Sequence, residues 1–279
     1  MIEAVLRAKK TSVFTAVVAG LVLAGLPLAG PLGAAETGAA AEAAGRAEAG
    51  HGEAHGVDWQ GWTAGNEISN TASLQRGAAN YVNYCLGCHS LKYLRYERMA
   101  RDLDIPDTQL VANLIPTGAK PTEYMMSTFP TEDAVVWFGR APPDLSLITR
   151  SKGPDYVYRF LKGFYVDASK PTGTNNLALD GAAMPAVLSD LEGVKSAVFG
   201  EAAAGHAGKV VERFEVVAPG RLNPEQYDGF VRDTVNFLDY AGEPSQVQRR
   251  DIGIWVVLFL LVFTAFAWML KKEYWKDVH

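Results

Sequence analysis

Residues Ile252 to Leu270 read IGIWVVLFLLVFTAFAWML, nineteen positions without a charge. This run restricts the fold more than any other feature, because inside a bilayer every backbone N–H and C=O must find its partner within the protein. A run of that length crosses as one helix. Trp255, Trp268, Tyr274 and Trp275 sit near its ends, where amphipathic rings settle at the headgroup level. Lys271, Lys272 and Lys276 follow the run, but Arg249 and Arg250 precede it, so charge bias alone does not orient the span. The anchor is expected over 249–271, with 272–279 as a short tail.

The other end supplies the orientation. MIEAVLRAKKTSVFTAVVAGLVLAGLPLAG places Arg7, Lys9 and Lys10 before a short apolar stretch that ends in Pro27 and small residues. That is the layout of a secretory signal peptide over 1–35, with cleavage before Glu36. A retained anchor is the alternative, disfavoured by the short run. Export puts the intervening domain in the periplasm and leaves the lysine tail in the cytoplasm of a bacterial cell. Residues 36–57 are almost all Ala, Gly and Glu and read as a flexible linker. His51 and His55 lie in HGEAH between glycines and are expected to be solvated.

The chain holds 26 Lys and Arg against 31 Asp and Glu, a net charge of −5. The signal segment carries Arg7, Lys9 and Lys10 against Glu3, so its removal gives −7. An acidic domain at a membrane surface excludes nucleic-acid binding and suits a basic soluble partner.

Residues 58–248 hold the folded domain. Thr71 or Ser73 can cap a helix in which Leu74, Ala78, Tyr81, Val82 and Cys85 recur at helical spacing. Further helices are expected from Asp104-Ile105-Pro106 toward Ile115, from Thr131 to Trp137 and from Pro154 through PDYVYRFLKGF. A last one starts at Asn223-Pro224 and stops at Gly242. GVKSAVFG and KVVERFEVVAPG suggest a β-hairpin with EAAAGHAG as its loop. Gly77 inside the first helix costs about 1 kcal/mol against alanine, so it predicts a close crossing with the helix containing Val235, Phe237 and Leu238.

The chemistry lies in YVNYCLGCHS, residues 81–90. Cys85 and Cys88 are the only cysteines, and His89 follows directly. A thioredoxin-like disulfide would place the pair at the start of a helix after a strand, whereas here it ends an amphipathic helix. A structural zinc site would need a fourth ligand, and there is no second pair. Covalent haem uses all three residues. Cysteines at i and i+3 reach both vinyl groups, and His89 supplies an axial imidazole. For the opposite face of the iron, Met184 in LDGAAMPAVL is preferred, since small residues admit a flat group and Pro185 stiffens the turn. Met125 and Met126 are the next candidates, Met99 reads as core, and His206 lies in the hairpin loop.

In order, RGAANYVNYCLGCHSLKYLRY, GRAPPDLSLITRSKGPDYVYRFLKGFY, AAMPAVL and VNFLDYAGEPSQVQRRDIG, running into the anchor, resemble the cytochrome c1 family, haem subunits of ubiquinol–cytochrome c reductase (cytochrome bc1) complexes. The likeness reaches from about Trp59 to the C-terminus. It implies a mainly α, cytochrome c-like haem domain with long loops and a small β-hairpin, plus one C-terminal transmembrane helix. It also implies thioethers at Cys85 and Cys88, His89 and Met184 as iron ligands of one haem c, and Pro142 and Pro143 as a wall of the pocket. A basic residue after DLS should pair with a haem propionate; Arg150 is preferred over Lys152. The implied function is electron transfer in a respiratory chain, from a Rieske iron–sulfur protein to a cytochrome c, beside cytochrome b and within the lipid bilayer. The domain would make no bonds of its own. The alternative is a membrane-anchored monohaem subunit of a terminal oxidase or periplasmic dehydrogenase.

Overall fold

A computed structural model describes residues 56–200 and 210–277. The signal segment, most of the linker with His51 and His55, and the hairpin loop with His206 lie outside the described residues. The helix α1, Thr71–Tyr84, begins at Asn70, whose side chain accepts from the Ser73 N–H at 3.1 Å. Neither Thr71 nor Ser73 caps it. The Ser73 hydroxyl instead donates to Asp233 at 2.6 Å. Ser73, Leu74, Gly77, Ala78, Tyr81 and Val82 are buried, one face at a spacing of three and four.

The strands and short helices that follow hold the loops of the site. Strand β1, Leu91–Arg95, runs into α2, Tyr96–Asp102, and neither was anticipated. The helix expected from Asp104 instead starts at Asp107 and passes at once into a π-helical turn, Leu110–Leu114. Strand β2, Tyr124–Met125, pairs antiparallel with β1. Next come α3 (Thr131–Phe138), α4 (Ile148–Lys152), α5 (Pro154–Lys162) and the antiparallel pair β3 (Phe164–Val166) and β4 (Thr174–Asn176). The expected hairpin forms from β5, Gly193–Gly200, and β6, Val210–Pro219. Val57 donates to the carbonyl of Val211 at 2.6 Å, so the described residues begin beside β6.

Helix α6, Pro224–Gly242, starts at the expected Asn223-Pro224, and Asn223 and Gln226 bond reciprocally as a capping box. It crosses α1 at Gly77. A β-carbon there would lie 2.0 Å from the Asp233 carbonyl oxygen and 2.7 Å from Phe237 Cβ. Around the crossing, Arg76 reaches both Asp233 carboxylate oxygens, and Asn80 donates to Phe230 O and Thr234 Oγ1. Gly77→Ala should therefore destabilise the folded protein by about 2 kcal/mol. The helix-propensity gain of about 1 kcal/mol cannot offset prising the backbones apart. Denaturant unfolding checks this; a variant as stable as the parent would mean that the crossing yields without cost.

The hairpin is fastened by charge. Lys195 on β5 donates to the Glu192 carboxylate and to the Lys162 carbonyl. Asp228 on α6 accepts from Tyr158, Lys162 and Arg232. Burial alone would raise the Asp228 carboxyl, but these three donors outweigh it and hold the group at about 2.

The last helix, α7, spans Gln246–Tyr274 and contains the apolar run. Its 29 residues extend about 43 Å, more than the hydrocarbon thickness of about 30 Å. Its apolar side chains are exposed rather than packed on the domain, as suits a helix whose solvent is lipid. Only residues 243–245 separate it from α6. At this junction Gly242 lies against α4, where a β-carbon would come within 2.9 Å of Thr149 Oγ1. Glu243 accepts from Arg150 at 2.6 Å and from Arg249 at 2.6 Å.

Candidate functional site

Cys85 is the C-terminal cap of α1, and the chain continues as a turn. The N–H groups of Cys88 and His89 both donate to the Cys85 carbonyl, at 3.0 and 2.8 Å. This winds Cys85, Cys88 and His89 around one carbonyl. Tyr81, buried one turn upstream, donates its hydroxyl to the His89 carbonyl at 2.5 Å. Burial raises the Tyr81 phenol far above its ordinary range, so it remains a donor. Ser127 holds the other side: its hydroxyl donates to the Gly87 carbonyl at 2.8 Å and its N–H to Ser90 Oγ at 2.9 Å.

The His89 ring is fixed from a distant segment. Nδ1 lies 2.7 Å from the Pro143 carbonyl oxygen. A carbonyl only accepts, so Nδ1 carries the proton. Burial lowers the affinity of the ring for a second proton, against the opposing pull of the Pro143 carbonyl and Asp144. The imidazole is thus neutral, with its Nε2 lone pair free to coordinate. A histidine metal ligand commonly has this arrangement, because a partner on the far nitrogen sets the tautomer and raises basicity. Both cysteines are free thiols. Burial, and Cys88 nearby, push the Cys85 thiol up to about 12. A thiol held that far from ionisation offers little thiolate for disulfide exchange. Among the described residues, no cluster of three or more His, Cys, Asp and Glu side chains is placed to hold a metal ion. Two unpaired thiols and a neutral, oriented imidazole on one turn fit a covalently attached haem.

Met184 sits in a loop organised by Asn175. The Asn175 side chain accepts from the Gly181 N–H at 2.9 Å and donates to Asp180 at 2.7 Å. Gly181 takes a φ of +70°, which a side chain would resist. Met184 is half-buried, packs on the hydrophobic core and borders a cavity of about 220 Å³ with Pro185, Leu188, Phe164 and Tyr165. Met99 and Met125 are buried in the core, while Met126 is exposed. Arg150, in α4, points to Glu243, and the Lys152 ammonium lies 5.8 Å from the Tyr156 ring centre. Sequence reasoning named Pro143 as a wall and missed its carbonyl as the partner of His89. It also missed Tyr81 and Ser127 as supports; only PPDLS after the motif hinted at a loop returning to it.

Comparison with known proteins shows the family. Over 217 residues the chain is 46% identical to a cytochrome c1 of Allochromatium vinosum, covering 78% of this chain and 89% of that protein. It is 42% identical over 207 residues to a protein of Nitrosomonas europaea named ammonia monooxygenase gamma subunit, covering 74% and 84%. A cytochrome b/c1 of Bradyrhizobium diazoefficiens is 26% identical over 251 residues, covering 74% of this chain and 33% of that protein. The sequence model of the Cytochrome C1 family matches residues 65–206 and 215–278, and the chain belongs to that family.

Proposed function

We propose that this chain relays single electrons from a Rieske iron–sulfur protein, through a haem c ligated by His89 and Met184, to a cytochrome c at the outer face of a bacterial inner membrane. Membership of the family sets the frame: an electron-transfer subunit of a bc1-type complex, carrying one covalently bound haem c. When bound, the haem supplies a one-electron iron couple whose potential follows its axial ligands. Cys85 and Cys88 are its attachment points. His89 offers Nε2, and the Pro143 carbonyl keeps that nitrogen basic. Met184 offers a thioether, which raises the potential. Arg150, or Lys152 in its place, meets a propionate. With His89 and Met184 both holding the iron, no substrate would reach the metal. The observation that carries this reading is the neutral His89 held by Pro143 beside two free thiols.

The exposed apolar helix gives the chain its membrane anchor. Export through the signal segment places the domain in the periplasm. The relative whose name joins cytochrome b with c1 supports a cytochrome b neighbour. The acidic balance of the chain favours a basic acceptor. Gentle solubilisation and capture through a C-terminal tag should bring down a di-haem cytochrome b and a Rieske protein in equal amounts. Recovery of an oxidase or a dehydrogenase in their place would refute the assignment.

A further inference from the structure

We propose that Asp144 is a positioning residue for His89, holding the Pro143 carbonyl on the imidazole; this rests on the reading that His89 ligates the haem iron. The Pro143 carbonyl belongs to a loop without regular structure, residues 140–145. Pro142 and Pro143 have no N–H, so neither can tie the loop down through its own backbone donor. The ties come from the next three residues. Leu145 donates to the Ser90 carbonyl at 2.9 Å, and Ser146 Oγ accepts from the Tyr93 N–H at 3.3 Å. Asp144 joins the two segments with one carboxylate: Oδ2 accepts from the Lys92 N–H at 2.9 Å, and Oδ1 accepts from the Ser146 N–H at 3.1 Å. One oxygen thus closes a turn in its own loop while the other grips the strand that leaves the haem motif. Both bonds are charge-assisted; the one from Ser146 is half-buried and the one from Lys92 exposed. The residue whose carbonyl meets His89 is the immediate neighbour of this clamp, so its position follows the clamp.

An amide cannot replace the carboxylate. Asn offers one acceptor and an NH2 group, which would face one of the two N–H donors. Asp144→Asn keeps the shape and loses one bond; Asp144→Ala loses both. Either change removes a negative charge felt by the His89 ring and would raise the reduction potential, so the potential alone does not separate positioning from charge. Solvent exchange of the His89 Nδ1–H does, because it reports whether the bond to Pro143 stays closed.

The test uses the full-length, haem-loaded protein in detergent and follows that proton by NMR in the parent and both variants. Positioning predicts exchange about tenfold faster in Asp144→Asn and faster still in Asp144→Ala, with haem attached in each. If the alanine variant fails to accumulate, the asparagine variant decides. A raised potential with unchanged exchange in Asp144→Asn would reduce Asp144 to a nearby charge and overturn the proposal. A parent protein without the spectrum of a histidine-ligated low-spin haem would overturn the ligand reading first, and the clamp with it.

Discussion

Met184→Leu should leave the haem attached, lower its reduction potential and stop turnover. In the proposed site, thioethers at Cys85 and Cys88 and a bond from His89 would not depend on the distal side, so the cofactor should stay. Leucine keeps most of the volume of methionine, and the side chain is half-buried against the core, so the loop held by Asn175 should survive. What disappears is the sulfur. If Met184 is the distal ligand, the iron would lose a ligand that favours its reduced state, or take a stronger donor, and its potential would fall. For a one-electron couple, each fall of about 59 mV shifts the transfer equilibrium tenfold. A drop of about 120 mV would cut it about a hundredfold, enough to turn an accepting centre into a barrier. Absorption spectra of the oxidised protein should lose the sulfur-to-iron charge-transfer band. Redox titration and quinol:cytochrome c reductase assays complete the test. An unchanged band and potential would move the ligand elsewhere, and Met126 would be tried next, since Met125 is buried in the core.

Replacing both Cys85 and Cys88 with alanine should have the larger effect on the protein itself. Acid–acetone extraction should then strip every haem from the polypeptide, whereas the parent keeps its full complement. With the thioethers gone, only one axial bond on each side of the ring would hold it, and assembly with the membrane partners should fail. The result also separates haem from thiol chemistry. A disulfide enzyme would lose its activity without ever having carried extraction-resistant colour. Haem that stayed on the denatured double variant would place the attachment at other residues.

Some of this architecture was legible in residue types and some was not. Gly77 announced the α1–α6 crossing because a glycine inside a helix needs a compensating contact, and the Asp233 backbone provides it. Asn223 and Pro224 spelled out the start of α6 through purely local chemistry, and the structure adds the reciprocal bond from Gln226. The delayed start of the helix after Asp104 has a local cause that was harder to see. Asp104 adopts a left-handed φ of +53°, and Pro106 serves as the cap, so the helix begins only at Asp107. Strand β1 left no trace because its partner is the two-residue β2, some thirty positions later, and such pairing reflects context more than propensity. The motif CLGCH was readable as chemistry. Its tuning was not, because the group that fixes His89 is a backbone carbonyl, which every residue possesses.

The three residues between α6 and α7 also limit how the domain can behave. Fully stretched, they reach about 10 Å, and Gly242 is already wedged against α4. Such a join is a post rather than a leash. On the proposed reading the domain has no slack with which to swing out and collect an electron, so its redox centre would keep one height above the bilayer. In the proposed relay the carriers on either side would do the travelling, and their own tethers and diffusion would set its pace.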